Sequence, residues 1–238
     1  MILPNVRASF GRSEAGTILG LLAGGDSVIR ERVDDQLRDQ GLDALLDDPR
    51  TLNAVLTADH DVRPPLVFYL LVRHALLESG IDDRVLADYL AALLLEFGRG
   101  DRAFRVTADD PERFQYMVDL MAAADTDDGR RRFLIRAHMG EYALWLTGIF
   151  PDHVTARVVR RGAPGLDYFQ EMGITGYRLA ANSRLAAEHG MDAVYRTAAE
   201  AFADLRVALN LVSDRYLFPG RRGSTERLLR QVRDAFSD

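Results

Sequence analysis

The 238-residue sequence predicts an all-α protein: a single multi-helix bundle of about ten helices with a central apolar helix pair and short connections. Apolar residues recur at three- and four-residue spacing along most of the chain, and few segments alternate as strands do. Glycines at 41, 80, 98, 162 and 190 stand where helix C′ positions are expected. Asp48-Pro49, Asp110-Pro111 and Phe150-Pro151 read as helix entries with proline at the first position. Residues 64–79 and 133–150 are apolar on all sides, as helices surrounded by other helices are.

These signals place helices in order. Segments 13–23 and 27–40 come first, the second ended by Gly41, and 49–58 opens at Asp48-Pro49. PPLVFYLLVRHALLES forms 64–79, ended by Gly80, and 82–98 ends at Gly98. Asp110-Pro111 opens 111–124; Phe150-Pro151 divides 128–150 from 152–161. Segment 166–189 ends at Gly190 and carries a small-residue seam, Phe169, Gly173, Gly176, Ala180 and Ala187. A second seam, Ala137, Gly140, Ala143 and Thr147, lies on 133–150, and such seams are expected to meet each other or flank 192–218. That last helix bears the stripe Ala198, Phe202, Leu205, Leu209 and Val212. A final helix is expected at 224–236. The longest loop, 99–110, suits a lid or a division between halves. The chain reads as a single domain over 1–238, with the more polar residues 1–60 as an arm or subdomain.

Composition narrows the function classes. Hydrophobic residues make up 47% and charged residues 28%, ordinary globular values. A net charge of −6 speaks against a nucleic-acid-binding surface. There is no cysteine, so any metal would be a divalent ion with nitrogen and oxygen ligands only. All 30 basic residues are arginine, which removes lysine Schiff-base chemistry and the phosphate-binding P-loop. The longest apolar run, 66–72, has seven residues, too few to span a membrane. The first residues, MILPNVRASFGRSEAG, lack the features of a secretory signal, so a cytoplasmic location is the expectation.

Chemistry is expected on the 133–150 helix, FLIRAHMGEYALWLTGIF. At about 100° per residue, His138, Glu141, Tyr142 and the single tryptophan, Trp145, share one stripe of it. Ionisable groups in apolar sequence need partners, which makes His138, Glu141 and Tyr142 the catalytic candidates. Arg136, Trp145, Glu171 and Arg178 are the ligand-binding candidates. His74 with Glu78 and His138 with Glu141 are the metal candidates, although ferritin-like bundles use Glu-x-x-His and this chain reverses that order. Arg73 and Arg136 stand ready as ion-pair partners within the same helices. The pair His60-Asp61 resembles the metal dipeptide of HD-type phosphohydrolases, but it stands just before Pro64-Pro65 and lacks the accompanying histidine and aspartate pattern. Arginines cluster at 130–132, 160–161 and 221–222, where a phosphate or an acidic protein would be held if they met in space.

Two functions from different classes follow. One is a protein-interaction or regulatory module that self-associates or holds a protein partner, with structural buried polar residues. The other is a helical-bundle enzyme, or a ligand- or metal-binding protein, in which His138, Glu141 and Tyr142 converge with His74, Glu78 and Glu171 on a water-accessible cavity in the core.

Overall fold

The computed structural model describes residues 1–59 and 61–221; His60 and the expected 224–236 helix lie outside the described residues. Within them are thirteen α-helices, eleven of seven residues or more, and no strand. The chain divides into two compact units, one formed by residues 4–95 and the other by residues 1–3 with the chain from Glu96 on.

The first unit contains α1 (Arg12–Ala23), α2 (Ser27–Gln40), α3 (Leu42–Leu46), α4 (Pro49–Leu56), α5 (Pro64–Glu78) and most of α6 (Arg84–Phe97). Asp26 and Asp48 cap α2 and α4 by accepting backbone N–H groups through their side chains. Arg73, 1% exposed on α5, donates to Asp47 at 2.7 and 2.9 Å and to Asp82 at 2.5 Å. Arg84 adds a third arm to Asp47 at 2.5 Å, so the α3–α4 corner is fastened to α5 and to the start of α6. Burial of this guanidinium is tolerable because both carboxylates meet it with hydrogen bonds. Beside it, His74 Nε2 lies 2.9 Å from the Leu46 carbonyl. Residues 86–94 of α6 are buried without interruption, so α6 is more enclosed than α5.

The second unit contains α7 (Met117–Ala123), α8 (Gly129–Ile149), α9 (Pro151–Arg161), α10 (Leu166–Ala181), α11 (Arg184–Glu188), α12 (Asp192–Glu200) and α13 (Phe202–Val212), followed by one π-turn, Ser213–Leu217. Helix α8 is its axis, with fourteen of twenty-one residues buried. The two small-residue seams do meet. A Cβ on Gly176 would stand 2.7 Å from the Arg136 carbonyl and 2.9 Å from the Gly140 nitrogen. One on Gly173 would strike the Phe202 ring at 2.5 Å and Ala143 at 2.8 Å; one on Gly148 would strike Leu209 at 2.7 Å. These glycines let α10 and α13 approach α8 closely, and the dispersion attraction of that close approach offsets their poor helix propensity.

The end of α8 is set by Pro151, whose nitrogen carries no hydrogen and leaves the Thr147 carbonyl without its helical donor. The buried Asn210 amide donates to Thr147 O at 3.0 Å and Gly148 O at 2.9 Å, and Ser213 Oγ donates to Ile149 O at 2.7 Å. Three consecutive carbonyls are thereby satisfied from α13 and its continuation.

Several expected boundaries change. Segment 166–189 is two helices, because Ser183 turns extended and accepts the Leu185 N–H to start α11. Segment 192–218 breaks at Ala201, where Phe202 packs on Gly173, and finishes as the π-turn. Only Met117–Ala123 of 111–124 is helical. Asp110 instead holds Glu112 N–H in a turn and receives Arg131, while the Phe114 N–H bonds Phe104 O at 2.7 Å. The left-handed glycine after α6 is Gly100, not Gly98. The five-residue α3 is too short to register in the sequence pattern.

Three substitutions probe this packing. Gly176→Ala is expected to destabilise by about 1–3 kcal/mol, since the added methyl meets backbone atoms that cannot rotate away. Gly20→Ala, in α1 with nothing within 4 Å, should stabilise by about 0.5–1 kcal/mol. Asn210→Leu should cost about 1–3 kcal/mol for the buried carbonyls it strands. Urea unfolding of the three variants checks all of these; a neutral Gly176→Ala or Asn210→Leu contradicts the packing described.

Candidate functional site

Because Pro151 both ends α8 and begins α9, the two helices meet at a corner lined by a cleft of about 1060 Å³. Tyr142, Trp145 and Leu146 come from α8, and Phe150 from the corner itself. Asp152, His153, Ala156, Arg157, Arg160 and Arg161 come from α9, and Phe104, Gln115 and Tyr116 from the loop before α7. A smaller cavity of about 240 Å³ adjoins it, sharing Gln115, Tyr116, Tyr142, Leu146 and Arg157 and continuing to Val118, Pro164 and Tyr168.

The floor is aromatic. Trp145 packs edge-on against Phe150 at 5.0 Å and Phe97 at 5.6 Å, and lies 6.1 Å from Tyr142. Phe104 closes on Tyr142 at 6.2 Å, and Phe150 on Phe218 at 5.6 Å. Such edge-to-face contacts fix ring orientation as well as bury area. Burial raises the Tyr142 pKa, the positive charge of Arg157 acting the other way, so its hydroxyl is a neutral donor, 3.5 Å from the Gln115 carbonyl.

The loop bearing Phe104 and Gln115 is tied down by ion pairs. Arg105 binds Asp101 at 2.8 Å and also donates to the Asp110 carbonyl; Arg131 holds the Asp110 carboxylate and reaches Glu112 at 3.2 Å. Arg132 donates to the Thr126 carbonyl at 2.9 Å. Two of the three arginines at 130–132 thus have local structural partners.

The sequence candidates fall into four groups. Tyr142 and Trp145 line the cleft. His138 and Glu141 do not: they are 1% and 0% exposed, packed behind it with His138 Nδ1 3.8 Å from Glu141 Oε2, beyond hydrogen-bond reach. Glu141 Oε1 accepts the Ile2 N–H at 3.3 Å, and His138 is flanked by Phe97 and Tyr142. Desolvation lowers the His138 pKa, against the pull of Glu141, and so keeps the imidazole neutral. Arg136 is half-buried, Glu171 and Arg178 are exposed on α10, and none of these three lines either cavity. His74 and Glu78 belong to the first compact unit and His138 and Glu141 to the second. Among the described residues no three His, Asp or Glu side chains group as a metal ion requires.

Sequence reasoning missed Phe104, Gln115, Tyr116, Asp152, His153 and Arg157. The α9 residues were detectable, since 152, 153, 156, 157, 160 and 161 repeat at the spacing of one helical face. The loop residues carried no periodic signal.

The cleft thus joins an aromatic floor to an arginine-bearing edge at the corner between two helices. No protein-family model matches the chain, and no solved structure matches it. The sequence is 30% identical over 159 residues, 61% of this chain, to periplasmic trehalase from Pseudomonas aeruginosa, of which it covers 28%. No helix among the described residues is long and apolar enough to cross a membrane.

The buried His138 and the half-buried His74 set a pH dependence. Desolvation lowers both the His138 and the His74 pKa, so the unfolded chain takes up protons near pH 6.5 that the folded chain refuses. Stability is therefore full above about pH 6.5 and falls as pH is lowered through that value, by up to about 1.4 kcal/mol per pH unit for each histidine. His138→Phe is expected to flatten the difference between urea midpoints at pH 7.5 and 5.5. A wild-type midpoint identical at the two pH values contradicts this.

Proposed function

We propose that the protein binds a small ring-bearing organic molecule in the α8–α9 cleft. The observation that carries the reading is the joining of an aromatic floor, Tyr142, Trp145 and Phe150, to polar groups on a single face of α9. Flat aromatic surfaces supply contact area at low entropic cost, and the polar edge orients what they hold. The likeness to periplasmic trehalase makes a sugar one ligand to test. Glycoside hydrolysis ordinarily needs two carboxyl groups across the scissile bond, however, and Asp152 is the one carboxylate among the described residues lining the cleft. The chemistry of the lining therefore favours binding over hydrolysis.

Trp145 is the only tryptophan, so its fluorescence reports on this cleft alone. The neutral probe N-phenyl-1-naphthylamine is expected to quench Trp145 saturably, and Ala156→Phe, which fills the cleft from α9 without adding a second tryptophan, should weaken that binding at least tenfold. Saturable binding unaffected by Ala156→Phe would place the probe elsewhere and overturn the reading. Trehalose added to the same assay should compete without release of glucose.

A second reading, a self-associating interaction module, draws on the apolar surface of Tyr116, Val118 and Met121, which are 56%, 61% and 43% exposed. Sedimentation equilibrium of Val118→Asp against the wild type tests it: a dimer lost in the variant supports it, and a monomeric wild type removes it.

A further inference from the structure

We infer that the ligand of this cleft carries an oxyanion, a carboxylate or phosphate, beside its ring; the inference rests on the cleft being the binding site. Arg157, Arg160 and Arg161 follow one another at i, i+3 and i+4 on α9, and all three line the cleft. None forms an ion pair with a described residue. Elsewhere in the same unit Arg102, Arg105 and Arg131 are engaged by carboxylates, while Arg130, Arg132, Arg136 and Arg178 also form no ion pair with a described residue but line neither cavity.

What distinguishes the three is their gathering on one cleft in a chain with 36 acidic residues against 30 arginines, where counter-charges are plentiful. The cleft gathers three guanidiniums against the single carboxylate of Asp152 among its described lining residues. Helix polarity explains part of the pattern, since cations at 160 and 161 suit the C-terminal end of α9. It does not explain Arg157, a full turn earlier, half-buried and shared by both cavities. Half-burial of a guanidinium without a carboxylate partner leaves its fork of donors turned to the cavity, where a carboxylate or phosphate is the matching bidentate acceptor. The aromatic floor then holds the ring, and the arginines hold the anion at its edge.

Two fluorescent probes of the same ring skeleton test this: 8-anilinonaphthalene-1-sulfonate, which is anionic, and N-phenyl-1-naphthylamine, which is neutral. At 50 mM salt the anionic probe is expected to bind at least tenfold tighter, and Arg157→Gln and the double variant Arg160→Gln/Arg161→Gln should each remove most of that advantage. The advantage should also shrink at 500 mM salt. Unchanged Tm of the variants shows that they remain folded. Displacement by phenyl phosphate assigns a phosphate ligand and displacement by benzoate a carboxylate; displacement by neither overturns the inference. Equal affinities for the two probes, with binding still blocked by Ala156→Phe, overturn the anion inference and leave the cleft reading standing. Failure of both probes to bind in the cleft overturns both.

Discussion

The missing hydrogen on the Pro151 nitrogen is the constraint on which the second unit turns. It ends α8, starts α9 in a new direction, and strands carbonyls that α13 must then satisfy through Asn210 and Ser213. Buried carbonyls left without donors would cost about 1–3 kcal/mol each, so the corner is stable only while α13 lies against it. That contact requires close approach, and Gly148 against Leu209 provides it. The same corner carries Trp145 and Phe150 on one side and the arginine face of α9 on the other. Backbone chemistry at one proline therefore fixes the angle at which an apolar floor and a cationic edge face each other.

Two kinds of polar environment lie within a few turns of α8. His138 and Glu141 are fully buried: Glu141 accepts the Ile2 N–H, His138 is flanked by the Phe97 and Tyr142 rings, and neither residue lines the cleft. Tyr142 and Trp145 are one turn further on and reach the cavity. The stripe thus divides along its length into a desolvated half and a half that lines the cleft. Desolvation lowers the imidazole pKa in the first half, and guanidiniums supply permanent charge in the second.

Much of the fold was legible from short-range signals. Asp48-Pro49 and Phe150-Pro151 do start helices, and Gly41, Gly80, Gly162 and Gly190 do adopt positive φ, because these depend on covalent geometry alone. Asp110-Pro111 misled because Asp110 accepts the Glu112 N–H in a turn that no helix follows, the chain bonding back through Phe114 N–H to Phe104 O before α7 begins at Met117. The continuous periodicity of 166–189 and 192–218 hid breaks made by Ser183 and by the packing of Phe202. The site was legible only where it lies on helices. Tyr142 and Trp145 stood out on their stripe, whereas Phe104, Gln115 and Tyr116 are brought to the cleft by loop ion pairs that no spacing rule encodes. Arg160 and Arg161 stand out in the sequence as a dipeptide, which obscures the face they share with Arg157.

The proline corner holds a cleft floored by Trp145. The single indole N–H resonance of Trp145 in a nitrogen-15 correlation spectrum reports on that cleft while 8-anilinonaphthalene-1-sulfonate is titrated into the wild-type protein. One sharp resonance that moves saturably with the probe is expected. An indole resonance unmoved at saturating probe would rule out a binding cleft floored by Trp145.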